Sequence, residues 1–187
     1  MKIEFLTIVP TSGSHEEIHF GNNFVDSLWV EFKISEDNHW LGCFSKSYDN
    51  GLNKVLYDTN EKTCCVIAGG KGYLIDLETK SIILETDELP LIESLVQSNN
   101  PNYYFLGNFY SVYVLNKKGL IKEIKPDFMV DGVYLEAQNG DKIIGKVDTA
   151  ENQYEKQLEI SINIERLEFD QLYLKPNSNF LKKIFGK

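Results

Sequence analysis

A chain of 187 residues, 42% hydrophobic and 25% charged, suits one folded domain and excludes a disordered body. Its formal net charge of −9 argues against direct nucleic-acid binding, which needs basic surface to neutralise phosphates. No stretch approaches the roughly 18 consecutive apolar residues of a membrane helix, and residues 1–6 carry Glu4 where a leader would be uninterruptedly apolar, so the expectation is a cytoplasmic protein without a membrane span.

Frequent aromatic and β-branched residues favour strands. Residues 4–10 read as an opening strand, ended by the turn cluster Thr11-Ser12-Gly13-Ser14. His15-Glu16-Glu17-Ile18-His19 then matches His-Glu-x-x-His in letters. On a helix that spacing puts two imidazoles on one face, where they can hold a metal ion. The flanking residues leave little room for such a helix, so the reading preferred here is a polar loop or short strand. A third ligand would have to come from His39 or an acidic residue. The sequence therefore commits to no metal site, with His15 and His19 as the candidate pair.

Residues 28–34 alternate apolar and polar from Val30, the mark of a half-buried strand. Turn residues 35–38 follow, and residues 39–44 form the expected hairpin partner. A looser stretch, 45–53, leads into the body of the chain. Cys43, Cys64 and Cys65 form an odd set with no Cys-x-x-Cys spacing, which reads as reduced thiols. Adjacent Cys64 and Cys65 would point to opposite faces of a strand, so one of them is expected to be a small buried hydrophobe.

Gly69, Gly107 and Gly145 stand 38 residues apart, twice over, each closing an apolar run. Around each glycine the parts recur in one order: a first strand (residues 55–58, 92–97 and 133–137), a polar turn, and an apolar second strand ending at the glycine. In the first two repeats a third strand (73–77, 112–115), further turn residues and a fourth strand (82–85, 120–124) complete the unit. The third repeat departs after Val147 with an acidic polar insertion, 148–155, before residues 159–165 resume alternation. A fixed period with four short strands is the layout of a propeller blade. A glycine is needed there where backbones approach closely. Gly69-Gly70-Lys71-Gly72 is then the hairpin between second and third strands.

A closed propeller needs at least four blades. Trp40-Leu41-Gly42 offers a degenerate fourth, with Gly42 only 27 residues before Gly69. The expected fold is all-β and antiparallel, with three or four propeller-blade-like repeats, either propeller-like or an incomplete, curled arrangement. Residues 1–175 form one β-rich domain, with repeats at about 54–91, 92–130 and 131–170. Residues 176–187 form a basic tail, in which the apolar spacing of 179–185 suits a short amphipathic helix.

Chemistry has no evident champion in this sequence. The Gly69–Gly72 loop lacks the Ser or Thr and the following helix of a phosphate-binding loop. No Gly-x-Ser-x-Gly elbow is present. Glu31, Glu159 and Glu165 alternate with apolar residues and are expected to face solvent. No catalytic residue and no cofactor are assigned. Partner-binding candidates come instead from charge and rings. The segment 131–170 holds ten acidic residues against Lys142, Lys146, Lys156 and Arg166. Asp148, Glu151 and Glu155 of the insertion, with Tyr110 in the aromatic second repeat, make the proposed contact set.

The stretch 65–76, Cys-Val-Ile-Ala-Gly-Gly-Lys-Gly-Tyr-Leu-Ile-Asp, resembles blade segments of bacterial propeller-like proteins of the quinoprotein or WD40-like kind. That resemblance extends over about residues 54–169 and implies the blade architecture; no quinoprotein cofactor ligands map onto it, and the Trp-Asp dipeptide is absent. In size, acidity and a Lys-rich, Arg-poor composition the chain also looks like the immunity proteins of contact-dependent inhibition systems. This second resemblance implies a non-catalytic protein that binds and neutralises one cognate toxin, often a basic nuclease, by occluding its active site. An enzyme or small-ligand binder and a scaffolding repeat protein are the alternative readings.

Overall fold

The computed structural model describes residues 1–8, 11, 13, 15–22, 26–86, 91–99, 101–149 and 157–170. Among these residues every regular element is a β-strand, and no helix is long and apolar enough to cross a membrane. The expected C-terminal helix, at 179–185, lies outside the described residues.

Sixteen strands form four sheets of four. The first blade holds β1 (Lys2–Phe5), β2 (Glu16–Phe20), β3 (Ser27–Lys33) and β4 (His39–Ser45). The second holds β5 (Lys54–Asp58), β6 (Thr63–Ala68), β7 (Lys71–Asp76) and β8 (Ser81–Glu85). The third holds β9 (Ser94–Gln97), β10 (Tyr104–Gly107), β11 (Val112–Asn116) and β12 (Gly119–Ile124). The fourth holds β13 (Val130–Asn139), β14 (Lys142–Thr149), β15 (Leu158–Asn163) and β16 (Glu168–Phe169).

Blades two to four are antiparallel meanders in which each strand pairs with the next. Their hairpins follow from local chemistry: Gly69 and Gly70, at φ +55° and +83°, supply the left-handed turn that joins β6 to β7. The first blade is wired differently, in the order β1-β3-β4-β2, with β2 running parallel to β4. This fourth sheet is the unit that Trp40-Leu41-Gly42 hinted at. Gly42 is no counterpart of Gly69, however, because a Cβ there would strike the Phe44 and Phe32 rings, at 2.6 and 2.9 Å. The opening strand also ends earlier than expected, at Phe5.

The blades stack face to face in chain order, with a separate apolar core at each junction. Phe32, Trp40, Phe44, Cys64, Val66 and Tyr73 fill the first. Cys65, Ile67, Leu95, Tyr104 and Leu106 fill the second. Phe105, Val112, Val133, Ile143 and Ile162 fill the third. β6 is buried on both faces, so Cys64 and Cys65 both serve as core residues, one in each of two neighbouring cores.

Each junction also carries a buried side chain bonded to the neighbouring blade's backbone. The Tyr73 hydroxyl donates to Ser45 O at 2.7 Å, and the Tyr104 hydroxyl donates to Thr63 O at 3.1 Å. At the third junction Ser94 Oγ donates to Val133 O and accepts from Leu135 N, both at 2.9 Å. Such bonds are directional where apolar packing is not, so they help fix the angle at which one blade meets the next.

The repeats give the molecule two distinct ends. Inter-blade linkers and the β6–β7 and β10–β11 hairpins share one, the linker end. The turns within blades, at 59–62, 77–80, 117–118, 140–141 and 164–167, share the other, the turn end.

Candidate functional site

The periodic glycines build the linker end. A Cβ on Gly69 would lie 2.2 Å from Tyr48 O, and one on Gly107 would lie 2.3 Å from Val133 O. On Gly145 it would lie 2.4 Å from Tyr134 O, where β13 bulges between Leu135 and Ala137. Only a residue without a side chain lets these segments touch. The linkers are then stitched to the hairpins: Ile92 N donates to Gly70 O, Glu93 N to Gly107 O and Val133 N to Asn108 O.

This stitching presents a set of side chains. Asn108, fully buried, accepts from Tyr110 N at 2.7 Å and Ser111 N at 3.0 Å through Oδ1. The turn so formed pushes the Tyr110 ring outward, 60% exposed, against Phe109. Met129, 79% exposed, immediately precedes β13, and Tyr48, 63% exposed, lies in the first linker. Asp131 lies on β13, and Asp148 pairs across from Gly132 on β14. Half-buried Tyr134 stands among these acids. Burial first, then the Asp148 carboxylate, with Glu93 and Asp131 adding to it, pushes its phenol above the ordinary range. Tyr134 thus remains a proton donor within an acidic cluster.

Among the described residues no lysine or arginine forms an ion pair with Glu93, Asp131 or Asp148. At the first linker Asp26 and Asp49 face each other. The bond to Asp49, then the Lys46 ammonium, holds Asp26 below the usual carboxylate range, while Asp49 is raised by that same contact.

Ion pairs occur at the linker end too, Lys46 with Asp26, Lys71 with Glu85 and Lys125 with Glu123, but they are more numerous at the turn end. Lys62 meets Glu78 there; Lys117 meets Glu61 at 2.5 Å, Lys142 meets Asp170 at 2.9 Å and Arg166 meets Glu168 at 3.2 Å. The acids of the 131–170 stretch therefore divide: Asp131 and Asp148 go to the linker end, Asp141, Glu165, Glu168 and Asp170 to the turn end. Glu151 and Glu155 lie outside the described residues; the insertion departs from Thr149, which pairs with Val130 at the linker end.

Glu93 and Tyr134 were not among the expected contact residues, and Asp131 was expected only as the start of an acidic face running to Asp170. A signal was present: Glu93 and Asp131 stand 38 residues apart, each 14 before a periodic glycine.

The histidines fall on the outer face of the first blade. Residues 16–20 are a strand, not a helix, so His15 and His19 are separated by about 13 Å along it rather than stacked over one turn. His19 packs edge-on to Trp29, with ring centroids 5.8 Å apart. His15 instead meets His39, because parallel pairing of β2 with β4 sets Glu16 against Trp40. The two imidazole centroids are 4.1 Å apart. His39 Nε2 lies 2.9 Å from Glu31 Oε1, and Lys33 Nζ lies 2.7 Å from Glu31 Oε2. Glu31, expected to face solvent, is thus held between two partners. Lys33 foremost, with His39, keeps its carboxyl below the usual range against the opposing effect of burial.

The three thiols are buried and unpaired by disulfides. Burial pushes Cys43, Cys64 and Cys65 all upward, which makes them inert rather than nucleophilic. Lys71, in the glycine-rich hairpin, is turned inward onto Glu85 at 2.6 Å, a structural ion pair rather than a phosphate ligand.

No protein-family model matches the sequence. No curated protein matches it either. Solved structures do. The dihydro-heme d1 dehydrogenase NirN, in complex with DHE, is similar over 82% of this chain and 34% of its own, with a TM-score of 0.50 at 14% identity. Kuenenia stuttgartiensis hydrazine synthase is similar over 68% and 36%, with a TM-score of 0.44 at 18% identity. The Myceliophteria thermophila Cps50 (Swd1) β-propeller domain is similar over 64% and 38%, with a TM-score of 0.41 at 16% identity. The chain spans between 34% and 38% of the length of these solved chains. At such identities the likeness concerns fold alone. Together with the four stacked blades, the fold is β-propeller-like.

Proposed function

We propose that this protein is a non-catalytic binding module whose linker-end rim receives a basic protein partner, in the manner of an immunity protein that neutralises a toxin by covering its active site. One observation carries the reading. Glu93, Asp131 and Asp148, which pair with no lysine or arginine among the described residues, share the linker end with exposed Tyr110, Tyr48 and Met129, and ion pairs are more numerous at the turn end. Exposed rings set in acidic surroundings suit a contact in which aromatic anchors supply affinity and charge supplies steering and selectivity. Asp148 and Tyr110 belong to this rim, and Glu151 and Glu155 follow Asp148 in the chain as further contact residues. Against a nuclease, such carboxylates would take the place of substrate phosphates.

The test is affinity capture of the tagged protein from its native host at physiological and at high salt, beside a Tyr110→Ala/Asp131→Lys/Asp148→Lys variant. The proposal predicts one stoichiometric basic protein that high salt releases and the variant fails to hold. Absence of a partner, or equal capture by the variant, would contradict it.

A further inference from the structure

A second cluster, at the turn end and away from the acidic rim, has the chemistry of a metal site. His15, Glu31 and His39 each offer a ligand atom, and these atoms lie within 4.8 Å of one another. We infer that they bind a divalent transition metal ion of the zinc class, as a two-histidine, one-carboxylate set with one position open to solvent.

The donors fit that ion better than a harder one. Two imidazole nitrogens favour zinc, cobalt or nickel, whereas calcium and magnesium prefer oxygen ligands. The spacing is also close to what is needed. Bonds of about 2.0–2.2 Å place neighbouring ligand atoms of a tetrahedral ion about 3.3 Å apart. His39 Nε2 and Glu31 Oε1 are already 2.9 Å apart, joined through a proton. A bound cation would sit between these two atoms in place of their hydrogen bond, with the His39 ring proton on Nδ1. The other oxygen of Glu31 stays on Lys33, which fixes the carboxylate as a single-oxygen ligand and orients it. His15 closes the set from the exposed side.

The position of His15 gives the ion a mechanical role. It immediately precedes β2, an edge strand paired only to β4. Glu31 lies on β3 and His39 opens β4. A metal there clips the start of the edge strand to the two central strands of its blade. Because the ion would bind the folded chain alone, it should stabilise that state by mass action.

The full-length protein, freed of metal by chelator and dialysis, should be titrated with Zn²⁺ and, for its visible spectrum, Co²⁺. Calorimetry gives the stoichiometry. Expected are one equivalent bound, a tetrahedral cobalt spectrum, and a Tm raised by about 5–10 °C at zinc 100-fold above Kd. His15→Ala, an exposed change that far-UV circular dichroism should find folded, and Glu31→Gln should each weaken binding more than about 100-fold. His19→Ala, on the same strand, should leave it unchanged. No stoichiometric binding, or binding that survives His15→Ala while His19→Ala abolishes it, would overturn the inference.

Discussion

Replacing Gly107 by alanine isolates the close approach that joins the third and fourth blades. Gly107 does not have a left-handed backbone, so alanine there incurs no φ penalty; on chain-entropy grounds alone the change would stabilise by about 0.4–1 kcal/mol. Sterics oppose this. The new Cβ would lie 2.3 Å from Val133 O and 2.4 Å from Ser94 Oγ, both far inside contact distance. Forcing a methyl into packed structure costs about 1–3 kcal/mol. The displaced Ser94 hydroxyl holds Val133 O and Leu135 N, and loosening those two bonds costs about 1 kcal/mol apiece. The net is a loss of about 2–4 kcal/mol, or a fall in Tm of roughly 5–15 °C for a chain of this size. Urea unfolding followed by circular dichroism reads it directly. A variant within about 0.5 kcal/mol of the parent would refute the contact and the junction built on it.

Tyr104→Phe removes only the hydroxyl that reaches Thr63 across the second junction, and should cost about 1–2 kcal/mol in the same unfolding assay. The three buried thiols should resist a thiol-specific reagent in the native protein at pH 8 and all react once it is unfolded; rapid native labelling would contradict the burial of β6 between two cores. Asp76 accepts from Thr79 N and Glu78 N, which hold its carboxyl below the ordinary range. The folded chain thus binds that proton more weakly than the unfolded one. Its stabilisation is complete above the unfolded carboxyl value near pH 4 and drains away as pH falls through the lower folded value. Asp76→Asn, which keeps the accepting oxygen, should flatten the dependence of the urea midpoint on pH below about 4; an unchanged slope would contradict this.

The repeat was legible because its cause is steric. Gly69, Gly107 and Gly145 each face a backbone carbonyl, and a side chain at any of them would collide with it, so the period is written in one residue type. The meander blades were legible for a related reason, since each strand pairs with its sequence neighbour and leaves a turn signal between. The first blade was harder to read because β2 joins β4 in parallel from across the sheet, a pairing with no short turn to announce it. β16 has only two residues, too few for an alternation to show. Tyr110 and Asp148 were visible as a ring and an acid. Their link through Asn108, Val133 and Gly132 depends on how two blades dock, and the same holds for Glu93. The histidine pair was legible in part: a short strand was expected there, but not the pairing of His15 with His39. Helical spacing coupled His15 to His19, whereas a strand separates them and hands His15 to His39.

On the reading proposed above, the linker-end rim steers a basic partner. Its most direct test is the association rate constant with the captured partner, measured across a range of ionic strength for the parent and for Asp131→Lys/Asp148→Lys. The account predicts a parent rate that falls steeply with salt, and a variant slower by about 10-fold or more at low salt with a much flatter dependence. Identical rates and identical salt slopes for the two proteins would contradict it.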